Sequence, residues 1–178
     1  MRLLPILTPV VASIVALSAC VPAPKPLPRP VPPPVPIAVV PLPQPTPLAQ
    51  DWRDWPYTPG DWVYRQDARG SIALFGVPGA DAQFTIRCDV QANAMYLSRA
   101  GSAPAPILIR TSTLQRSLTV QPTGGTPPYV AVALAPRDGL MEAIGFSRGR
   151  FVVEQQGAAT LVLPTWAEIE RVTEDCRR

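Results

Sequence analysis

Between Val21 and Gln50, 13 of 30 positions are proline, and this stretch decides how much of the chain is able to fold. Pro22, Pro24, Pro26, Pro28 and Pro30 alternate, Pro32-Pro33-Pro34 follow, and Pro41, Pro43, Pro45 and Pro47 alternate again. Each proline fixes φ and lacks a donor, so neither a helix nor an interior strand forms there. Polyproline II is the expected state, and at ~3.1 Å per residue thirty residues reach roughly 90 Å. The tract therefore divides the chain into a leader (1–19), a tether that starts at Cys20 (20–50) and one domain (51–178). A domain of that length buries roughly two-thirds of its unfolded surface, so a core needs no cofactor to complete it. The other reading of the tract is a ligand for proline-recognition domains.

The leader opens Met1-Arg2, runs apolar from Leu3 to Ala16 and ends Leu17-Ser18-Ala19-Cys20. A positive start, a short apolar stretch and small residues before a cut form a secretory signal. Pro5 and Pro9, and the shortness of the run, argue against a transmembrane helix. Leu17-Ser18-Ala19-Cys20 resembles the bacterial lipobox at all four positions. The resemblance implies diacylglycerol on the Cys20 sulfur, cleavage before Cys20 and acylation of the new amino terminus. Several acyl chains anchor firmly, since each buried methylene adds about 0.8 kcal/mol. Val21 stands where the family's inner-membrane retention signal has aspartate, so the resemblance implies an outer-membrane anchor with the domain facing the periplasm. The alternative is an ordinary signal peptide with a chance cysteine.

The formal net charge of +3 does not belong to the domain, because Arg2, Lys25 and Arg29 precede it. The 13 arginines from Arg53 to Arg178 are balanced by 13 acids. Nucleic-acid binding needs clustered positive charge, and only short pairs such as Arg148 with Arg150 occur, so no nucleic-acid partner is expected. There is no histidine, and the single lysine, Lys25, is in the tether. The commonest general base and zinc ligand is thus missing, and a serine nucleophile would have no activating base. No glycine loop precedes a lysine, and Gly124-Gly125 between prolines reads as a turn. Carboxylates remain: Asp51, Asp54 and Asp61 near aromatics, and Glu168, Glu170, Glu174 and Asp175 near the end. Glycosidase chemistry runs on two carboxylates, but acids balanced by Arg171, Arg177 and Arg178 read as a solvated helix face. The chain reads as a non-enzyme with no cofactor and no metal.

Alternation predicts a mainly β domain. Phe84, Ile86 and Cys88 share one face against Gln83, Thr85 and Arg87. Ile107, Ile109 and Thr111 oppose Leu108, Arg110 and Ser112, and Leu118 and Val120 continue the pattern. Val130, Val132 and Leu134 follow the Pro122–Pro128 loop, while Ile72 to Phe75 and Met95 to Leu97 are shorter strands. Arg150–Glu154 and Thr160–Leu163 flank Gly157 as a hairpin. A short helix carries Leu140, Met141 and Ile144 after Asp138 and ends near Gly145. A second is predicted from Pro164 to Cys176, with Thr165 and Glu168 as a capping box and Ile169, Val172 and Cys176 on one face. The expected fold is α+β and mainly β: a small antiparallel sandwich or partly open barrel, with the last helix packed on a sheet.

With Cys20 assigned to lipid, Cys88 and Cys176 remain as an even pair in an oxidising compartment, both on predicted buried faces. A disulfide between them is expected to pin the last helix to the sheet. A strand ending Ile86-Arg87-Cys88, a further strand with Tyr96-Leu97, and the strand, helix and cysteine from Leu161 to Cys176 resemble accessory periplasmic proteins encoded with type VI secretion systems. The resemblance covers most of 71–178 and rests on spacing. It implies an antiparallel β domain with a sheet-packed terminal helix, and no catalytic residue.

Three of four tryptophans fall in Asp51-Trp52-Arg53-Asp54-Trp55-Pro56-Tyr57 and Asp61-Trp62-Val63-Tyr64. Such rings stack on sugars or anchor protein partners, which makes Trp52, Arg53, Trp55 and Tyr57 the candidate binding residues. The competing reading is that this segment caps an open sheet edge, with Trp62 and Tyr64 in strand alternation. The expected function is a lipid-anchored binding or scaffolding module that meets an envelope protein or cell-wall glycan. The alternative is a lysozyme-inhibitor-like or glycan-binding lipoprotein.

Overall fold

The computed structural model describes residues 50–178; the leader, Cys20 and the proline-rich tether lie outside the described residues. The strands are β1 (Asp61–Asp67), β2 (Gly70–Gly76), β3 (Phe84–Asp89), β4 (Ala94–Ala100), β5 (Ile107–Arg110), β6 (Gln115–Leu118), β7 (Gln121–Pro122) and β8 (Tyr129–Leu134). After α1 (Gly139–Gly145) come β9 (Arg150–Gln155), β10 (Leu161–Pro164) and α2 (Ala167–Asp175). They form two antiparallel sheets, one in the order β1-β2-β3-β4-β8-β7 and one in the order β10-β9-β5-β6. The mainly β, two-sheet architecture with a terminal helix is the expected one.

Register explains the core. Strand pairing aligns Trp62, Phe75, Phe84, Arg99 and Val130 in one row across the large sheet, and Tyr64, Ala73, Ile86, Leu97 and Val132 in the next. Side chains directly opposite on antiparallel strands share a face, so both rows point inward together. Phe84 meets Phe151 of β9 edge-on at 6.1 Å, which brings the second sheet against the first row. Helix α2 packs on β1, β2 and β3, with Ile169 and Val172 fully buried. Cys88 and Cys176 are disulfide-bonded with their Cα atoms 5.2 Å apart, which joins α2 to β3 as expected.

The β9–β10 hairpin turns at Gly157, whose φ of +79° is open to glycine at little cost. Asp138 caps α1 by accepting from the Leu140 amide. Two expectations about α2 are corrected. Pro164 belongs to β10, so the helix starts at Ala167. The Thr165–Glu168 capping box does not form: Trp166 occupies the N-cap without a side-chain bond, and the Thr165 hydroxyl instead donates to the Ser147 carbonyl at 3.1 Å. A tertiary acceptor outcompeted the local one. Arg99 is a second surprise, because it occupies a core-facing position at 3% exposure. Its guanidinium donates to the carbonyls of Val153 and Ala159, and burial pulls its pKa down.

Candidate functional site

The segment ahead of β1 is a strap. Asp51 caps a single 3-10 turn at Trp52–Asp54 by accepting from the Arg53 amide at 2.9 Å. The Arg53 guanidinium lies 5.0 Å from the Trp52 ring centre. Further on, the Thr58 amide donates to the Val162 carbonyl at 3.0 Å, and the Val162 amide donates to the Thr58 hydroxyl at 2.9 Å. Those two bonds close the outer rim of β10 through Thr58. Trp62 is 5% exposed and donates its indole N–H to the Pro164 carbonyl at 2.8 Å. Tyr64 donates to Asp175 at 2.6 Å with the Arg171 guanidinium stacked 3.9 Å from its ring.

The candidate residues upstream fare differently. Trp52 and Trp55 are half-buried, whereas Arg53 and Tyr57 are exposed, Tyr57 at 46%. The Tyr57 hydroxyl donates to the Gly149 carbonyl at 3.1 Å, and the Arg150 guanidinium stacks 4.1 Å from its ring while donating to the Trp55 carbonyl. The ring is therefore held in place with one face covered by a cation. The same turn gathers two aromatics that sequence reasoning did not single out. Phe146, the C-cap of α1, is 73% exposed, and Trp166, the N-cap of α2, is 44% exposed. Their neighbours are bonded together: Thr165 donates its amide to the Gly149 carbonyl and its hydroxyl to the Ser147 carbonyl. The Ser147 hydroxyl closes the turn by donating to the Arg150 carbonyl at 2.5 Å. The segments carrying Tyr57, Phe146 and Trp166 thus meet at the turn 147–150, where Arg148 is exposed. The signal that could have found Phe146 and Trp166 was a lone aromatic abutting each helix end, where no apolar periodicity demands one.

No family model, curated protein or solved structure matches this chain.

A second feature is concave. The outer face of the large sheet carries a cleft of about 530 Å³ lined by Asp61, Val63, Leu74, Val77, Asp81 and Tyr129 among others. Its rim is the 77–82 loop, and the Tyr129 hydroxyl donates to the Ala82 carbonyl at 2.5 Å. Burial, and then the Asp81 carboxylate, push the Tyr129 hydroxyl up from its ordinary value. Among the described residues no group of three or more acids and cysteines is placed to hold a metal. The acids of α2 are spread: Asp175 accepts from Tyr64, and Glu170 is turned inward without a partner for its Oε1.

Proposed function

We propose that the chain is a lipoprotein anchored to the outer membrane through Cys20, and that its domain is a binding or scaffolding module working in the periplasm. The aromatic patch around Ser147–Arg150 is its contact surface. The observation that carries this reading is the exposure of Tyr57, Phe146 and Trp166 on segments joined at one hydrogen-bonded turn, with Arg150 stacked on Tyr57. Tryptophan, tyrosine and arginine dominate protein hot spots, and the Tyr57 ring, already held by Gly149 and Arg150, loses little freedom on binding. Large exposed aromatics beside an arginine suit an envelope-protein contact. The tether would supply the reach from the membrane.

The test is photo-crosslinking in living cells, with a crosslinking amino acid placed at Phe146 or Trp166 of the lipidated protein. Val90, an exposed apolar residue in the β3–β4 turn, serves as the control position. The expected result is one envelope-protein adduct from Phe146 and Trp166, absent from Val90 and lost in the secreted Cys20→Ser form. Tyr57→Ala is expected to lower its yield about tenfold or more, as an anchor worth about 2 kcal/mol would. Equal labelling from all three positions would overturn the reading. Inhibition of lysozyme by the purified protein, unaffected by Tyr57→Ala, would transfer the function to the lysozyme-inhibitor alternative.

A further inference from the structure

Among the described residues the two sheets have four edges, and three are closed or short. The strap bonds to β10, β7 is two residues long and includes Pro122, and β6 has four residues with Arg116 bound to Asp138. A proline removes a donor from an edge, and a short strand offers little to pair with. Strand β1 is seven residues long, and among the described residues no backbone group of another segment bonds to its outer rim. Such an edge is a template for another strand.

The outward side chains of β1 say which strand. Asp61, Val63 and Arg65 point to the outer face, and all three line the near side of the cleft. Val63 is 45% exposed between the other two. Asp61 and Arg65 carry opposite charges and lie two residues either side of it, roughly 13 Å apart at strand rise, too far to pair within one chain. Neither is ion-paired to any described residue. Opposite charge placed symmetrically about an exposed apolar residue is self-complementary under a two-fold axis.

We propose that β1 pairs antiparallel with β1 of a second copy, about a two-fold axis through Val63. Asp61 then stands opposite Arg65 of the second copy, twice, with the two Val63 side chains meeting between them. Two neighbouring registers are worse: centring on Tyr64 sets Asp61 against Asp67, and centring on Arg65 sets that arginine against itself. Like charges directly opposite one another destabilise a pair of strands, and the Val63 register sets against each other the two charges of β1 that have no ion pair among the described residues of their own copy, whereas Asp67 is already held by Arg87. Tyr64 and Trp62 are already bonded within their own copy and do not compete for the interface. The result is one continuous sheet with an isologous interface, the commonest way for identical chains to close an assembly.

The test uses the full-length lipidated protein in its membrane, with single cysteines bridged by a short bifunctional thiol reagent and read on a non-reducing gel. Val63→Cys is expected to give a covalent dimer. Asp61→Cys and Arg65→Cys are expected to give none alone, but a mixed dimer when produced together. Full-length protein in detergent provides a second readout, free of added cysteines, by sedimentation. There Arg65→Asp is expected to raise the dimer dissociation constant about tenfold or more, since two favourable cross-strand pairs become two like-charge pairs. The double exchange Asp61→Arg with Arg65→Asp is expected to restore it. A monomer at all concentrations, equal crosslinking from the three single cysteines, or an adduct of Val63→Cys with a different protein would each overturn the proposal.

Discussion

Glu170 is half-buried on α2, and its carboxylate packs against Gly145 at the end of α1, where a Cβ would lie 1.4 Å from its Oε1. Burial pushes its carboxyl up; Arg177 works against that shift, while Glu174 and Glu142 add to it. A carboxyl raised in the folded state stabilises the fold at low pH, and that contribution is lost as pH rises through its folded pKa. Glu170→Gln is therefore expected to raise the urea midpoint at pH 7 and leave it unchanged at pH 4. Solvent screening keeps the gain below about 1 kcal/mol. Two turn acids act in the opposite direction. Hydrogen bonds, first from the Arg87 guanidinium and then from the Arg69 amide, hold Asp67 down at about 2. The Ala92 amide, and then Arg69, lower Asp89. For Asp67 that contribution is complete above 3.8 and is lost as pH falls through about 2, and Asp89 acts in the same direction. Unfolding midpoints measured from pH 2 to 8 should rise steeply at the acid end, and Asp67→Asn should flatten that limb.

At the scale of elements, what sequence alone reveals depends on whether an element has a wet face. Strand β2 alternates because one face looks to solvent, and Ala73 and Phe75 are buried while Ile72 and Leu74 are half-exposed. In β10 all four residues are buried, so period-two alternation has nothing to register there, and the flanking Gly157 turn is what marks it as a hairpin strand. The proposed contact patch is only partly legible in the sequence for a related reason. Tyr57 stood out in a dense aromatic run, whereas Phe146 and Trp166 come from helix ends far along the chain and meet only through the Ser147–Thr165 and Gly149–Thr165 bonds. Trp166 also creates a conflict within α2. It occupies an N-cap that asparagine, aspartate or serine fills better, and it leaves a helix donor uncapped. Trp166→Asp should raise stability by about 1 kcal/mol in chemical denaturation and at the same time reduce the crosslink to the proposed partner. A variant that lost both stability and crosslinking would mean that Trp166 serves packing.

Over the whole molecule, the disulfide links residues 88 positions apart and so encloses most of the domain in one covalent loop. In the chain-entropy model a loop of that size stabilises by ~4–5 kcal/mol, less any strain. Cys88→Ser with Cys176→Ser should therefore lower the denaturation midpoint by an amount equivalent to several kcal/mol. The loss should begin at α2, which the bridge holds against β3, and hydrogen exchange should report α2 amides as the first to lose protection. The strap has a consequence of a mechanical kind. Tension applied to the chain ahead of residue 50 does not arrive first at the exposed edge strand β1. It meets the Arg150–Trp55, Tyr57–Gly149 and Thr58–Val162 bonds, which clamp the strap to the second sheet. A domain held this way can be tugged from its amino-terminal side while its longest open edge stays unloaded.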